Sequence, residues 1–228
     1  MSVKFYKSEN QVPLEMHKVR VVQKLNLLPV DERLRAIQKA GNNTFLLENK
    51  DIYIDMLTDS GVNAMSDRQT AAMHLADDSY AGSQTFARLK AALKEVFGTD
   101  NVLPAHQGRA CENILAERFV KPGMVAIMNF HFTTTKAHVT RCGGEVVEVL
   151  HKKGLIPQSD DPFKGDMDLQ ELRRVIEQYT PEKVAYVRVE AGTNLIGGQP
   201  VSLENMLAVA DICHEYGVPS VLDASLLQ

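Results

Sequence analysis

The chain has 228 residues, of which 44% are hydrophobic and 24% charged, with a formal net charge of −4. That composition describes a globular chain long enough to bury a sizeable core, and excludes a disordered one. Lys and Arg are scattered without a basic stripe, no apolar run approaches the roughly 20 residues needed to span a bilayer, and Met1–Lys7 lacks the apolar core of a signal peptide, so neither nucleic acid nor membrane is an expected partner.

Helix and strand patterns alternate along the chain. Asp31 is the predicted cap of a short helix, Glu32 to Ala40, that Gly41 ends. Ile52 to Leu57 alternates like a strand. Ser66 opens a helix to about Ala76, and Ser83 a stronger one, with Phe86, Leu89, Leu93 and Val96 on one stripe and Gly98 as its stop. Val102-Leu103 reads as a short strand. A helix from about Arg109, a strand Met124 to Met128, a helix Thr134 to Arg141 and a strand Val146 to Leu150 follow. After a polar connection come a helix Leu169 to Tyr179, a strand Val184 to Val189, a helix from Ser202 to Tyr216 and a last strand, Val218 to Leu222. Such alternation predicts an α/β fold, a mainly parallel sheet covered by helices on both faces. Cys111, Cys142 and Cys213 share no metal-ligand spacing; they read as small buried hydrophobes in a reducing cytoplasm.

Four junctions bear chemistry. At His106-Gln107-Gly108-Arg109 a strand hands over to a helix, and the free N–H groups of the helix start, beside Arg109, suit a phosphate; a plain turn is the simpler reading of that segment alone. At Asn129-Phe130-His131-Phe132-Thr133-Thr134-Thr135, Phe132 can lie on a flat ring and the hydroxyls can cap or donate, against core packing and an ordinary cap. Gly192 to Pro200 is an irregular loop offering Asn194. Asp223 ends the last strand, where an α/β enzyme can hold a cofactor's ring nitrogen protonated; a helix cap is its alternative.

Taken in order, Asp51-Ile52-Tyr53-Ile54-Asp55, Leu57-Thr58-Asp59-Ser60-Gly61, Ala64-Met65-Ser66-Asp67, Tyr80-Ala81-Gly82-Ser83, His106-Gln107-Gly108-Arg109, Phe132-Thr133-Thr134-Thr135 and Gly197-Gly198-Gln199-Pro200-Val201-Ser202 resemble the β-eliminating lyases, tyrosine phenol-lyase and tryptophanase. The resemblance runs from about Pro29 to Asp223. It implies the aspartate-aminotransferase-type fold (fold type I, three-layer α/β/α, incomplete in this chain). It also implies pyridoxal 5′-phosphate (PLP) as cofactor, a homotetramer, and an N-terminal arm with part of a small domain over residues 1–65 before a PLP-binding large domain over 66–228.

Carried over by position, the resemblance makes Gln107, Gly108 and Arg109 the phosphate turn, Phe132 the aromatic on the pyridine ring, Asn194 the amide near its phenolic oxygen and Asp223 the partner of the ring nitrogen. Tyr80 corresponds to a tyrosine that reaches a neighbouring subunit's site as an acid for the leaving group. Thr58 and Ser60 would line the substrate's amino-acid end. Thr133 matches tyrosine phenol-lyase, where tryptophanase has aspartate, and leans toward a phenolic leaving group. Gly61 and Asp78 stand where a monovalent cation such as K⁺ binds, though Asp78 is shorter than the family's glutamate.

Two departures qualify this. The family has an arginine three residues after the aspartate, where this chain has Leu226, and Arg188 and Glu190 replace small or apolar residues. The latter two read as a compensating pair or a substrate contact near the cofactor, or as an ion pair at a sheet edge. The last lysine is Lys183, upstream of Asp223, so the cofactor-anchoring lysine is expected from sequence beyond Gln228 or from a second polypeptide. The expected function is β-elimination from an aromatic or related amino acid. Its alternatives are a split or truncated cofactor-binding half that is inactive alone, and a racemase or β-replacement enzyme.

Overall fold

A computed structural model describes residues 26–55 and 65–227. Two compact units divide the chain, Met1–Leu89 and Lys90–Gln228.

In the first unit, helix α1 spans Val30–Lys39. Pro29, not Asp31, precedes its first turn: the N–H groups of Glu32 and Arg33 both donate to the Pro29 carbonyl, and Asp31 lies inside the helix, where its charge meets the positive end of the dipole. Helix α2 spans Asp67–Leu75 behind a capping box, with Gln69 N–H donating to Ser66 Oγ at 3.0 Å and Ser66 N–H to Gln69 Oε1 at 2.9 Å. Residues 52–55 form no strand, and Asn49–Asp51 before them is a single 3-10 turn. Alternation marks a half-buried strand, but a strand exists only with a ladder partner, and none pairs with 52–55 among the described residues; Met56 and Leu57 of that run lie outside the described residues. The boundary between the units falls inside helix α3, Gln84–Phe97, which starts where Ser83 Oγ accepts from Phe86 N–H and stops at Gly98, as its sequence predicts.

The second unit is the layered one. Val102-Leu103 pairs with no strand among the described residues, and the chain enters helix α4, Gly108–Phe119, from an extended Gln107. Strand β1 (Val125–Met128), helix α5 (Thr133–Arg141), strand β2 (Glu145–Glu148), helix α6 (Leu169–Tyr179), strand β3 (Val184–Glu190), helix α7 (Leu203–Tyr216) and strand β4 (Ser220–Asp223) follow. Every ladder is parallel, in the order β2-β1-β3-β4. Parallel neighbours require crossovers, and α5, α6 and α7 supply them.

Each face of the sheet has its own core. Leu172, Val175 and Ile176 of α6 fall at helical spacing and bury with Val209, Ile212 and Cys213 of α7 against Val125, Ile127, Val187 and Val189. Full burial of each such aliphatic side chain contributes roughly 1.5–3 kcal/mol. On the other face Ala116 of α4 and Val139 of α5 close over Ala126, Met128, Ala185 and Tyr186. The result is α/β/α layering. Cys213 is buried and Cys142 packs against the second core, but Cys111 is exposed on α4, contrary to its reading as a buried hydrophobe.

From β1 the chain moves outward to β2, and from β3 it moves the other way to β4, with α5 and α7 on opposite faces. The topology therefore reverses between β1 and β3. At such a point the loops leaving two adjacent strands part company and leave a crevice at their carboxyl ends.

Candidate active site

Asn129, wholly buried just after β1, ties that crevice together. Its side-chain amide donates to the carbonyls of Glu190 and Gly165, both at 3.0 Å, and its Oδ1 accepts from Glu190 N–H at 3.0 Å. The carboxyl ends of β1 and β3 are thus fixed to each other by one side chain. Register sets Glu190 of β3 beside Asp223 of β4, so three strand ends meet at one edge.

Asp223 is held there as an anion. Ser225 donates to Oδ1 from its hydroxyl at 2.5 Å and its N–H at 2.9 Å, and Arg188 donates to Oδ2 at 2.5 Å. Burial pushes the Asp223 carboxyl up; the Ser225 hydrogen bonds and the Arg188 charge outweigh that and leave it below the ordinary range. The Asp-x-Ser spacing is an Asx turn, a local signal for Ser225 that the sequence reading passed over.

Gly108 lies beside this acid. A Cβ built on it would have Ser225 Oγ as its nearest neighbour, 3.9 Å away, so the predicted phosphate turn and the predicted ring-nitrogen partner are adjacent through one serine. No side chain caps the N-terminus of α4, which leaves its first N–H groups to a ligand, with the exposed Arg109 next to them. Phe132 is the half-buried residue before α5, at the end of β1, and Thr133 is exposed. Asn194 follows β3, with its N–H donating to Glu190 Oε1 at 3.3 Å and its side chain exposed. An anion site without a side-chain cap, a flat aromatic and an ionised carboxylate on one sheet edge fit a phosphorylated, nitrogen-containing ring.

Tyr80 and Asp78 belong to the first unit and are exposed. Thr58, Ser60 and Gly61 lie outside the described residues. The threonines after Phe132 do not cap α5: Thr134 and Thr135 donate their hydroxyls to Glu112 of α4. Nothing in either local pattern announces that partner, more than twenty residues upstream.

Arg188 and Glu190 do form an ion pair, at 3.3 Å, and it is interior: they are 3% and 6% exposed, on a strand flanked on both sides. The sheet-edge reading is therefore corrected, because β3 is central. Arg188 also faces Glu112 at 3.7 Å, so one guanidinium meets three carboxylates. Burial is the main reason the Glu190 carboxyl lies above its ordinary range, and it likewise pushes the Tyr186 phenol up to about 12. Buried charge of this density costs stability.

A doubly wound α/β unit whose direction of winding reverses between its two central strands is thereby defined. The chain belongs to the β-eliminating lyase family, which matches residues 55–225. Tyrosine phenol-lyase of Nostoc punctiforme is 44% identical over 211 residues, covering 92% of this chain and 45% of its own, and that of Clostridium tetani is 41% identical over 216 residues, covering 95% and 47%. The chain thus spans just under half the length of these relatives. Among solved structures, a PLP-bound C-S lyase from Staphylococcus hominis aligns at TM-score 0.48 and 14% identity over 68% of this chain and 39% of its own.

Proposed function

We propose that this chain supplies the cofactor-facing part of a PLP-dependent β-eliminating lyase, closest to tyrosine phenol-lyase, that releases pyruvate, ammonia and a phenolic leaving group from an aromatic amino acid. The observation that carries the reading is the ionised Asp223, joined to the Gly108 turn through Ser225 at the carboxyl edge of the sheet. Bound PLP supplies an electron sink for the charge left when the substrate's α-proton departs.

The chain's own residues hold and orient. The N–H groups at the start of α4, with Gln107, Gly108 and the Arg109 side chain, bind the phosphate. Phe132 covers a face of the ring, Asn194 donates to its phenolic oxygen, and Asp223 keeps a proton on its nitrogen. Thr133 accepts or donates at the leaving group's hydroxyl, which disfavours substrates lacking one. Tyr80 hands the leaving group a proton from a neighbouring subunit, Thr58 and Ser60 line the amino-acid end, and Gly61 and Asp78 serve a monovalent cation such as potassium. The lysine that anchors the cofactor comes from sequence following Gln228 or from a second chain, in a cytoplasmic homotetramer whose cofactor domain includes 66–228.

Incubating the intact protein with PLP and tyrosine, tryptophan or an S-alkyl cysteine, and following pyruvate, tests this. Release from tyrosine in preference to tryptophan is expected; release from neither, in a preparation that binds PLP, rejects the lyase reading. Asp223→Ala should weaken PLP binding about tenfold or more, the scale of one lost charge-assisted hydrogen bond, with the far-UV circular dichroism unchanged.

A further inference from the structure

Asp223 does not face the crevice alone. Arg188 Nη2 is 2.5 Å from Asp223 Oδ2, and Arg188 is itself fixed from two sides, by Glu190 on its own strand at 3.3 Å and by Glu112 of α4 at 3.7 Å. Glu112 is pinned in turn by the Thr134 and Thr135 hydroxyls, and the Tyr186 phenol lies on the same face of β3. Oδ1 already takes two hydrogen bonds from Ser225. A carboxylate offers about four lone-pair positions. A ring nitrogen arriving at Asp223 therefore shares an acceptor whose negative charge is partly committed to a fixed guanidinium.

Resting on the PLP reading above, we propose that Arg188 is a positioning residue which, by sharing the Asp223 carboxylate, weakens that carboxylate's hold on the proton of the cofactor's ring nitrogen. The acid still orients the heterocycle, but it makes the ring a weaker electron sink than an aspartate with no cation behind it. Charge and geometry act in the same direction: a guanidinium behind the carboxylate repels a protonated ring, and it occupies one of the two oxygens. Glu190 and Glu112 keep the guanidinium from swinging away when the ring binds. The class of group recognised is a pyridine whose ring proton is held less tightly than by an aspartate with no cation behind it.

The test uses the intact protein and pyridoxamine 5′-phosphate labelled with 15N at the ring nitrogen, a probe that needs no lysine for retention and whose chemical shift reports protonation. Arg188→Gln, which removes the charge but keeps a donor, should raise the pH at which the ring nitrogen loses its proton by about one unit, a tenfold change, the lower end of what a unit charge at such distances does. Arg188→Lys should restore the native midpoint to within a few tenths. A purely structural role would alter probe affinity or melting temperature in both variants without moving that midpoint. An unchanged midpoint in a folded Arg188→Gln protein that still binds the probe overturns this inference alone. Failure of the native protein to bind the probe at all overturns the PLP reading beneath it. Should Arg188→Gln not fold, the native protein still decides: the Arg188 side-chain 15N resonances must shift on probe binding, and resonances that stay put refute the shared carboxylate.

Discussion

The two hydrogen bonds from Ser225 and the one from Arg188 give Asp223 more stabilisation as an anion than as an acid, and the sign of its pH dependence follows. The folded-state value lies below the unfolded one of roughly 3.9, so the contribution to stability is fully present above about pH 4 and disappears as the pH falls through the lower folded value. Asp223→Asn should therefore cost about 2 kcal/mol in urea unfolding at pH 7, and the native and variant curves should converge on acidification; a difference that persists or grows in acid would contradict the assignment. Ser225→Ala removes the hydroxyl hydrogen bond, keeps the backbone N–H one, and should move the Asp223 carboxyl upward in a 13C titration. An unmoved resonance would mean that Arg188 and the remaining N–H set its state.

At the scale of elements, the crevice depends on connections that close without strain. Asn129 satisfies three backbone groups across β1, β3 and the segment around Gly165. Asn129→Ala leaves those groups buried and unpaired, and an expected loss of about 2–4 kcal/mol is readable by denaturant unfolding. Gly165 is there for space: a Cβ on it would lie 2.7 Å from the Gln199 carbonyl and 2.8 Å from that of Pro200, both backbone atoms that cannot turn aside. Gly165→Ala should cost about 1–3 kcal/mol and loosen the Thr193–Gln199 turn that carries Asn194, seen as faster amide exchange there; an unperturbed exchange pattern would show that the turn holds itself. The long periodic elements of this unit were legible in the sequence. Leu169–Tyr179 forms the helix that its apolar spacing and Asp168 cap dictate, and the buried run of β3 is plain from Val184 onward. Ile52 to Asp55 shows the limit, since alternation specifies a face but not a neighbour to pair with. Asp31 shows another: Pro29, two residues earlier, holds the cap position expected of the acid, and no side chain caps the helix.

For the molecule as a whole, the order of the junctions along the chain was legible and their energetics were not. Gly108 and Asp223, 115 positions apart, were assigned to one site by the family resemblance, and the fold sets them side by side through a serine that the resemblance did not single out. Arg188 and Glu190 drew attention as departures from the family's small or apolar residues, yet their burial arises from the central place of β3, which no local pattern encodes. Glu112 was invisible for the same reason, being one helical residue whose partners come from α5 and β3. What these residues share is that their meaning lies in contacts between elements.

The most direct measurement is a crystal structure of the intact protein with pyridoxal 5′-phosphate. The phosphate is expected against the N–H groups at the start of α4, with the ring nitrogen within about 3 Å of an Asp223 carboxylate oxygen. A phosphate elsewhere on the sheet edge, or a ring whose nitrogen faces solvent while Asp223 stays bound only to Arg188 and Ser225, would contradict the account.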